Sequence, residues 1–291
     1  MHMVTFLASG QALLPFRRLQ VFGRDARMAA HDLVEPLTIQ GRVLLALMLR
    51  EARTRYGRQR VGYLWALIEP MLHIALFYAI FRYTLRVVPL GQSLPMFLAT
   101  GLATYVGFAN VLNRTQGGFA SNEALLAYPV VSVMDVFLGR ALLELATWIT
   151  VIVIILGALI SSGLDPLPHS VLTMISAIFL LFGIGFGVGT LVGIVAQFFP
   201  VVDNLISIPF RILYFTSGVF FLPDAFPPAV RDVLAWNPVL QGITLFRMGY
   251  YGNYNSHMLD LKYLVLWSAI SVLAAFLVER LARKALLSRS F

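Results

Sequence analysis

From residue 39 onward the chain alternates long, unbroken apolar runs with short breaks rich in Pro, Gly and charge. Runs of this length cross a bilayer as helices. Strands of a transmembrane barrel would alternate apolar and polar positions, and these runs do not. Six spans are predicted, over 65–88, 95–112, 136–161, 171–198, 205–221 and 261–278. At 1.5 Å per residue the first is about 36 Å long, enough to cross roughly 30 Å of hydrocarbon with some tilt. The expected fold is therefore an all-α polytopic membrane protein with six transmembrane helices in a domain over 65–279.

The segments outside the spans are patterned differently. Residues 1–38 mix short apolar groups with Arg17, Arg18, Arg24, Asp25, Arg27, Asp32 and Glu35 and read as a cytoplasmic tail. Their charges follow the first apolar stretch, the reverse of a secretory signal. Residues 39–64 form an interfacial helix and an entrance segment. Leu44, Leu45, Leu47, Met48 and Leu49 give way to Arg50, Glu51, Arg53 and Arg55, so the helix is expected to lie among headgroups. Between the fifth and sixth spans, 222–260 contains Pro223, Pro227, Pro228 and Pro238, yet it is too apolar for a free loop. Short helices re-entering the outer leaflet are expected there, because irregular backbone at that depth must be covered by protein or line a cavity.

Composition agrees with the pattern. Of 291 residues, 59% are hydrophobic and 12% charged, against about 25% charged in soluble domains. The net charge of +8 is a matter of topology once its positions are considered. Arg50, Arg53, Arg55, Arg58 and Arg60 precede the first span, and Arg280, Arg283, Lys284 and Arg289, all within a basic tail over 280–291, follow the last. Both ends are expected in the cytoplasm. Arg86, Arg231, Arg247 and Lys262 fall to the other side.

Little catalytic chemistry is present. The chain has no cysteine, and its two lysines, Lys262 and Lys284, are not preceded by glycine, so it has no phosphate-binding Walker loop. The histidines are scattered, and no metal site is expected. Gly183, Gly185, Gly187 and Gly189 sit inside a span, and the four-residue period of Gly185, Gly189 and Gly193 is that of close helix packing. Ionisable groups inside spans demand a partner or a pathway. Glu69 and His73 share a helix face, as do Arg140 and Glu144. Each pair is either mutually neutralising or functional. In the functional reading Glu69, His73, Arg82 and Arg211 face a hydrated conduit. The many aromatics belong to interface belts and packing, with a minority suited to stacking on sugar rings.

The stretch Arg55-Tyr56-Gly57-Arg58-Gln59-Arg60-Val61-Gly62-Tyr63-Leu64-Trp65 through Glu69-Pro70 resembles the start of the first span in permeases of type-2 ATP-binding-cassette exporters of cell-surface polysaccharides. The loop Ala124-Leu125-Leu126-Ala127-Tyr128-Pro129-Val130-Val131, followed by Asp135, Arg140 and Glu144, is similar to the capsular polysaccharide export branch. Leu222-Pro223, Trp236-Asn237-Pro238 and Arg247 resemble a pattern of the wider superfamily.

The resemblance implies a homodimer whose twelve helices enclose a path, in a bacterial inner membrane. It also implies a separate cytoplasmic ATPase subunit in two copies. This chain would hold no cofactor; ATP and Mg would be bound by the ATPase. A coupling helix in the loop 117–132 would dock on that partner through Ser121, Asn122, Glu123 and Tyr128. Tyr56, Arg58, Arg60 and Trp65 would border the substrate entrance. Trp236, Asn237, Pro238, Tyr250 and Tyr251 would belong to a periplasmic lid. Periplasmic and outer-membrane export proteins are implied as further partners, and nucleic acid is not.

The expected function is export of a lipid-linked, acidic capsular polysaccharide from cytoplasm to periplasm, by a permease that is not itself an enzyme. Rivals are an O-antigen, teichoic acid or drug permease, a proton-coupled carrier using Glu69, Glu144 and Asp135, and a membrane glycosyltransferase, for which no soluble segment is large enough.

Overall fold

The computed structural model describes residues 38–55, 62–84, 87–126, 131–163 and 165–288. The chain divides into two units, Met1–Leu45 and Ala46–Phe291. In the first, the described residues are the opening turns of helix α1 (38–55), with Ile39 and Leu45 exposed. The second holds the rest of α1 and all that follows.

Every regular element among the described residues is helical. After α1 come α2 (Gly62–Tyr83), α3 (Leu94–Gln116), α4 (Val133–Ser161) and α5 (Val171–Phe198). Then follow the short α6 (Val201–Leu205) and α7 (Ser207–Thr216), α8 (Pro228–Ala235), α9 (Pro238–Tyr250) and α10 (Leu261–Leu287). Starts are set by capping side chains. Ser93, Ser170 and Asp260 each accept a first-turn N–H. Ser132 and Asp135 bond reciprocally to one another's backbone, satisfying two helix-end donors at once.

Among the described residues five helices are long and apolar enough to cross a membrane, over Leu64–Tyr83, Leu94–Gln116, Val133–Ser161, Val171–Phe198 and Leu261–Leu287. Of their most apolar stretches, that of α3 is 78% buried, while those of α10 and α2 are 22% and 11% buried. Helix α3 is thus the centre of the bundle and α2 lies at its edge. The expected fifth span over 205–221 is instead the pair α6 and α7. Pro209 has no N–H to give the carbonyl of Leu205, four residues back, so the helix breaks at Ile206.

Glycines bring α5 against two neighbours at once. A methyl at Gly189 would stand 2.6 Å from the Leu112 carbonyl oxygen, and one at Gly193 2.5 Å from that of Gln116, both on α3. Gly183 and Gly187 face Ser268 and Ser271 of α10 in the same way. The expected packing role of this run is what the structure contains, with Gly183 and Gly187 serving a second face.

Residues 222–260 begin with a 3-10 turn, Pro223–Ala225, and contain α8 and α9. Helix α9 is almost wholly buried, its Gly249 against Met174 and its Gly242 against Leu181 of α5.

Candidate functional site

One end of the bundle, where α3 stops and α4 starts, gathers charge. Helix α1 lies close on α4 there: a methyl on Gly139 would come within 3.1 Å of Leu47 Cβ. That approach lets the last two turns of α1 reach across. Glu51 pairs with Arg140, Oε1 to Nη2 at 3.1 Å, and Arg55 donates to Glu144. Arg140 also donates to the carbonyl of Gly117 (2.7 Å), just past α3, and Arg114 of α3 stands 3.8 Å from Glu144. Glu144 is 4% exposed. A carboxylate so buried persists only because cations surround it.

The same cluster extends into the loop after α3. Residues Ala120–Leu125 form a 3-10 helix kinked at Asn122, whose φ is −133°. Asn122 is buried; its Nδ2 donates to the Gly118 carbonyl (3.0 Å), and its Oδ1 accepts from Arg50 of α1 (2.8 Å). Ser121 and Glu123 beside it are exposed. Thus α1, the loop and α4 are joined by side chains on one surface. Mutual neutralisation of Arg140 and Glu144 is corrected by this geometry: each is held mainly by a partner on α1. Two i, i+4 pairs of opposite order, Glu51 with Arg55 and Arg140 with Glu144, cross-pair instead.

Next to Glu144 a small cleft between α2, α3 and α4 is lined by Pro70, Gly107, Asn110, Thr147 and Trp148 among others. The Trp148 Nε1–H is buried there without a hydrogen-bond partner among the described residues.

The pathway residues expected on α2 and α7 are not gathered into one site. Trp65, Glu69 and Arg82 are exposed on α2, and Arg211 is exposed on α7. Among the described residues no carboxylate pairs with Arg82; its Nη1 donates to Tyr78 Oη at 2.7 Å. His73 is half-buried with Nδ1 unpartnered, and no ion pair joins it to Glu69 among the described residues. These charges stand among exposed Leu64, Met71, Leu72, Leu76, Ile80, Ile208, Ile212 and Phe215. Tyr56, Arg58, Arg60 and Tyr128 lie outside the described residues.

At the other end, the expected lid residues fall into two kinds. Trp236 is 77% exposed, and Asn237 is buried as the cap of α9, accepting from Val239 and Leu240 N–H while donating to Thr216 and Ser217 hydroxyls. Pro238 opens α9. Tyr250 and Tyr251 are buried edge to face, 4.8 Å between ring centres. Tyr250 donates to the Pro166 carbonyl (2.9 Å). Burial, and then Asp165, push the Tyr250 phenol up to about 12, so it remains a donor at neutral pH. Asp165 ties this end together, accepting from Gln92 N–H (3.1 Å) and from Ser93.

Sequence reasoning missed how Arg50, Glu51, Arg55 and Arg114 are used. The signal available was the matched charge of two helical pairs, 89 residues apart.

A bundle of apolar helices around a glycine-packed centre, with an ion-paired collar and an exposed polar loop at one end, is the build of a polytopic membrane protein. The sequence model of the ABC-2 type transporter family matches residues 42–251, and the chain belongs to that family. Among its relatives is the polysialic acid transport protein KpsM of Escherichia coli, 30% identical over 243 residues, which are 84% of this chain and 94% of that one. The capsule polysaccharide export inner-membrane protein BexB of Haemophilus influenzae is 31% identical over 219 residues, 75% of this chain and 83% of BexB. CtrC of Neisseria meningitidis serogroup B, with the same description, is 30% identical over 219 residues, covering 75% and 83%.

Proposed function

We propose that this chain is the non-catalytic, membrane-spanning subunit of an ATP-driven exporter that carries a lipid-linked, acidic capsular polysaccharide from cytoplasm to periplasm. The observation that carries the reading is the similarity to capsule exporters over most of both chains. An acidic cargo is supported by the relative named for polysialic acid, a polyanion. O-antigen export is a second reading, supported by 23% identity to the O-antigen export permease RfbA of Klebsiella pneumoniae over 210 residues.

The charged collar is the cytoplasmic end in this account. Its exposed Ser121 and Glu123 dock on the ATPase, with Tyr128, and the Arg50–Asn122 bond passes motion of that loop to α1. Six crossings with both termini cytoplasmic are supported by the course of residues 199–218. They leave α5 near Gln116, at one end of α3, and reach the carbonyls around Phe97 and Gly101, at its other end. Helices α6 and α7 together make that passage. Residues 222–260 re-enter the outer leaflet with α9 as their buried limb.

Two copies form the transporter. Exposed charges such as Glu69 and Arg82 on α2 and Arg211 on α7, each among aliphatic residues, are costly against lipid. A second copy packed against these helices would turn such charges toward a hydrated path between protomers, entered past Tyr56, Arg58, Arg60 and Trp65. The chain binds no ATP itself; two ATPase subunits supply nucleotide and Mg, and envelope proteins extend the route.

Two results test this reading. Affinity purification from membranes recovers an ATP-binding-cassette ATPase in equal amount, and a cysteine at Glu123 in this naturally cysteine-free chain crosslinks to it. Recovery of the chain alone, with no crosslink at any position over 120–125, removes the coupling assignment.

A further inference from the structure

Arg247 is the largest fully buried side chain among the described residues, and it has no carboxylate partner there. It lies in the last turn of α9 and points into a cage of backbone oxygens. Its Nη1 donates to the carbonyls of Gly218 (2.6 Å) and Phe221 (3.2 Å), and its Nη2 to those of Val219 (2.9 Å) and Phe97 (3.4 Å). The guanidinium carbon sits 4.1 Å from the ring centre of Phe97. Burial lowers its pKa only to about 10, so the cage holds a charge at neutral pH.

The sequence is adapted to this seat in three ways. Gly101 of α3 leaves the space, since a methyl there would stand 2.6 Å from Nη2 and 2.8 Å from the Val219 oxygen. Gly218, at φ +72°, turns the chain so that successive carbonyls converge. A planar fork of five donors suits several converging oxygens where a lysine ammonium does not.

Three of the four carbonyls belong to the turn 217–222 after α7. Phe220 within that turn lies 4.2 Å from Phe77 and 6.2 Å from Phe81, both on the thinly packed helix α2, and 5.3 Å from Tyr214. A chain of contact therefore runs from α9, fixed on α5, through Arg247 and the turn to α2. Losing one carbonyl leaves a buried charge undercompensated, which favours release of the turn as a unit.

We propose that Arg247 is a positioning residue that latches the outer end of the path. It holds the 217–222 turn across α3 and so keeps Phe220 against α2, and the turn leaves this cage when the path opens. The opening rests on the exporter reading; the latch is a property of the chain itself.

The test uses the full chain with its ATPase in native membranes, with cysteines replacing Phe77 and Phe220, and follows the rate of a short thiol crosslink. Arg247→Met, which keeps length but removes the donors, slows it by about tenfold or more, an effect of one net hydrogen bond, and Arg247→Lys falls between. Trapping the ATPase with ATP and vanadate slows it in the Arg247 parent. If Arg247→Met does not accumulate, Gly101→Ala tests the same cage with the arginine present. Crosslinking at the parent rate in the variant that accumulates overturns the latch. A variant effect with no response to trapping overturns its release during transport. Absence of any copurifying ATPase overturns the exporter reading, while the variant comparison still judges the latch.

Discussion

Glu144→Gln removes the negative centre of the charged collar while keeping its volume and an amide oxygen. Two cations lose a partner. Arg114 is 45% exposed and 3.8 Å away, so its share is that of a surface pair, about 0–1 kcal/mol. Arg55 is 20% exposed against a carboxylate that is 4% exposed. Breaking such a pair approaches the buried case, and discounting the water that reaches Arg55 leaves about 2–3 kcal/mol. The variant therefore loses about 3 kcal/mol of stability, the sum of those two shares. Arg55→Gln loses at least as much, because it strands a carboxylate that is 4% exposed with only the exposed Arg114 beside it. Unfolding in mixed micelles, followed by tryptophan fluorescence with Trp148 in the adjoining cleft, measures each variant and the double variant. The cycle is expected to return a coupling of about 2 kcal/mol, well above the ~0.5 kcal/mol scatter of independent sites. Additivity within that scatter would refute the claim that α1 is pinned to α4 through this pair.

Other consequences are as direct. Gly193→Leu forces a side chain onto the Gln116 carbonyl and costs about 1–3 kcal/mol, whereas Gly157→Ala, with nothing within 4 Å, is neutral; the amounts of folded chain in membranes report the difference. Asn237→Ala removes the cap of α9 and two hydroxyl bonds, lowering thermal stability by about 1–2 kcal/mol. Arg283→Ala destabilises more than Glu279→Ala in the same assay. It strands a carboxylate that is 2% exposed, while the reverse change frees an arginine that is 47% exposed.

The apolar runs made most helices legible. Helix α5 occupies the expected 171–198, and the short helices expected within 222–260 are α8 and α9. Helix α2 begins and ends earlier than the run 65–88, and α10 extends past 278 because its last turns pair Glu279 with Arg283. The break at Ile206 was within reach, since Pro209 stands in the sequence. Partners across the chain were not. Helical spacing shows that Arg140 and Glu144 share a face, but which face of which helix they meet is decided by packing. The close seat of Leu47 on Gly139 brings Glu51 and Arg55 to them. Arg247 stands out in the sequence only as part of a resembling pattern, because a cage of backbone carbonyls leaves no trace in side-chain chemistry.

The central claim is that this permease is driven by a separate ATPase rather than by an ion gradient. Inside-out vesicles containing the chain and its copurifying ATPase, supplied with lipid-linked polymer, measure it most directly through polymer that becomes protected from an added glycanase. Protection is predicted to require ATP, and to vanish when the ATPase is omitted or inactivated. Protection driven by a pH gradient, with the ATPase absent, would contradict the account.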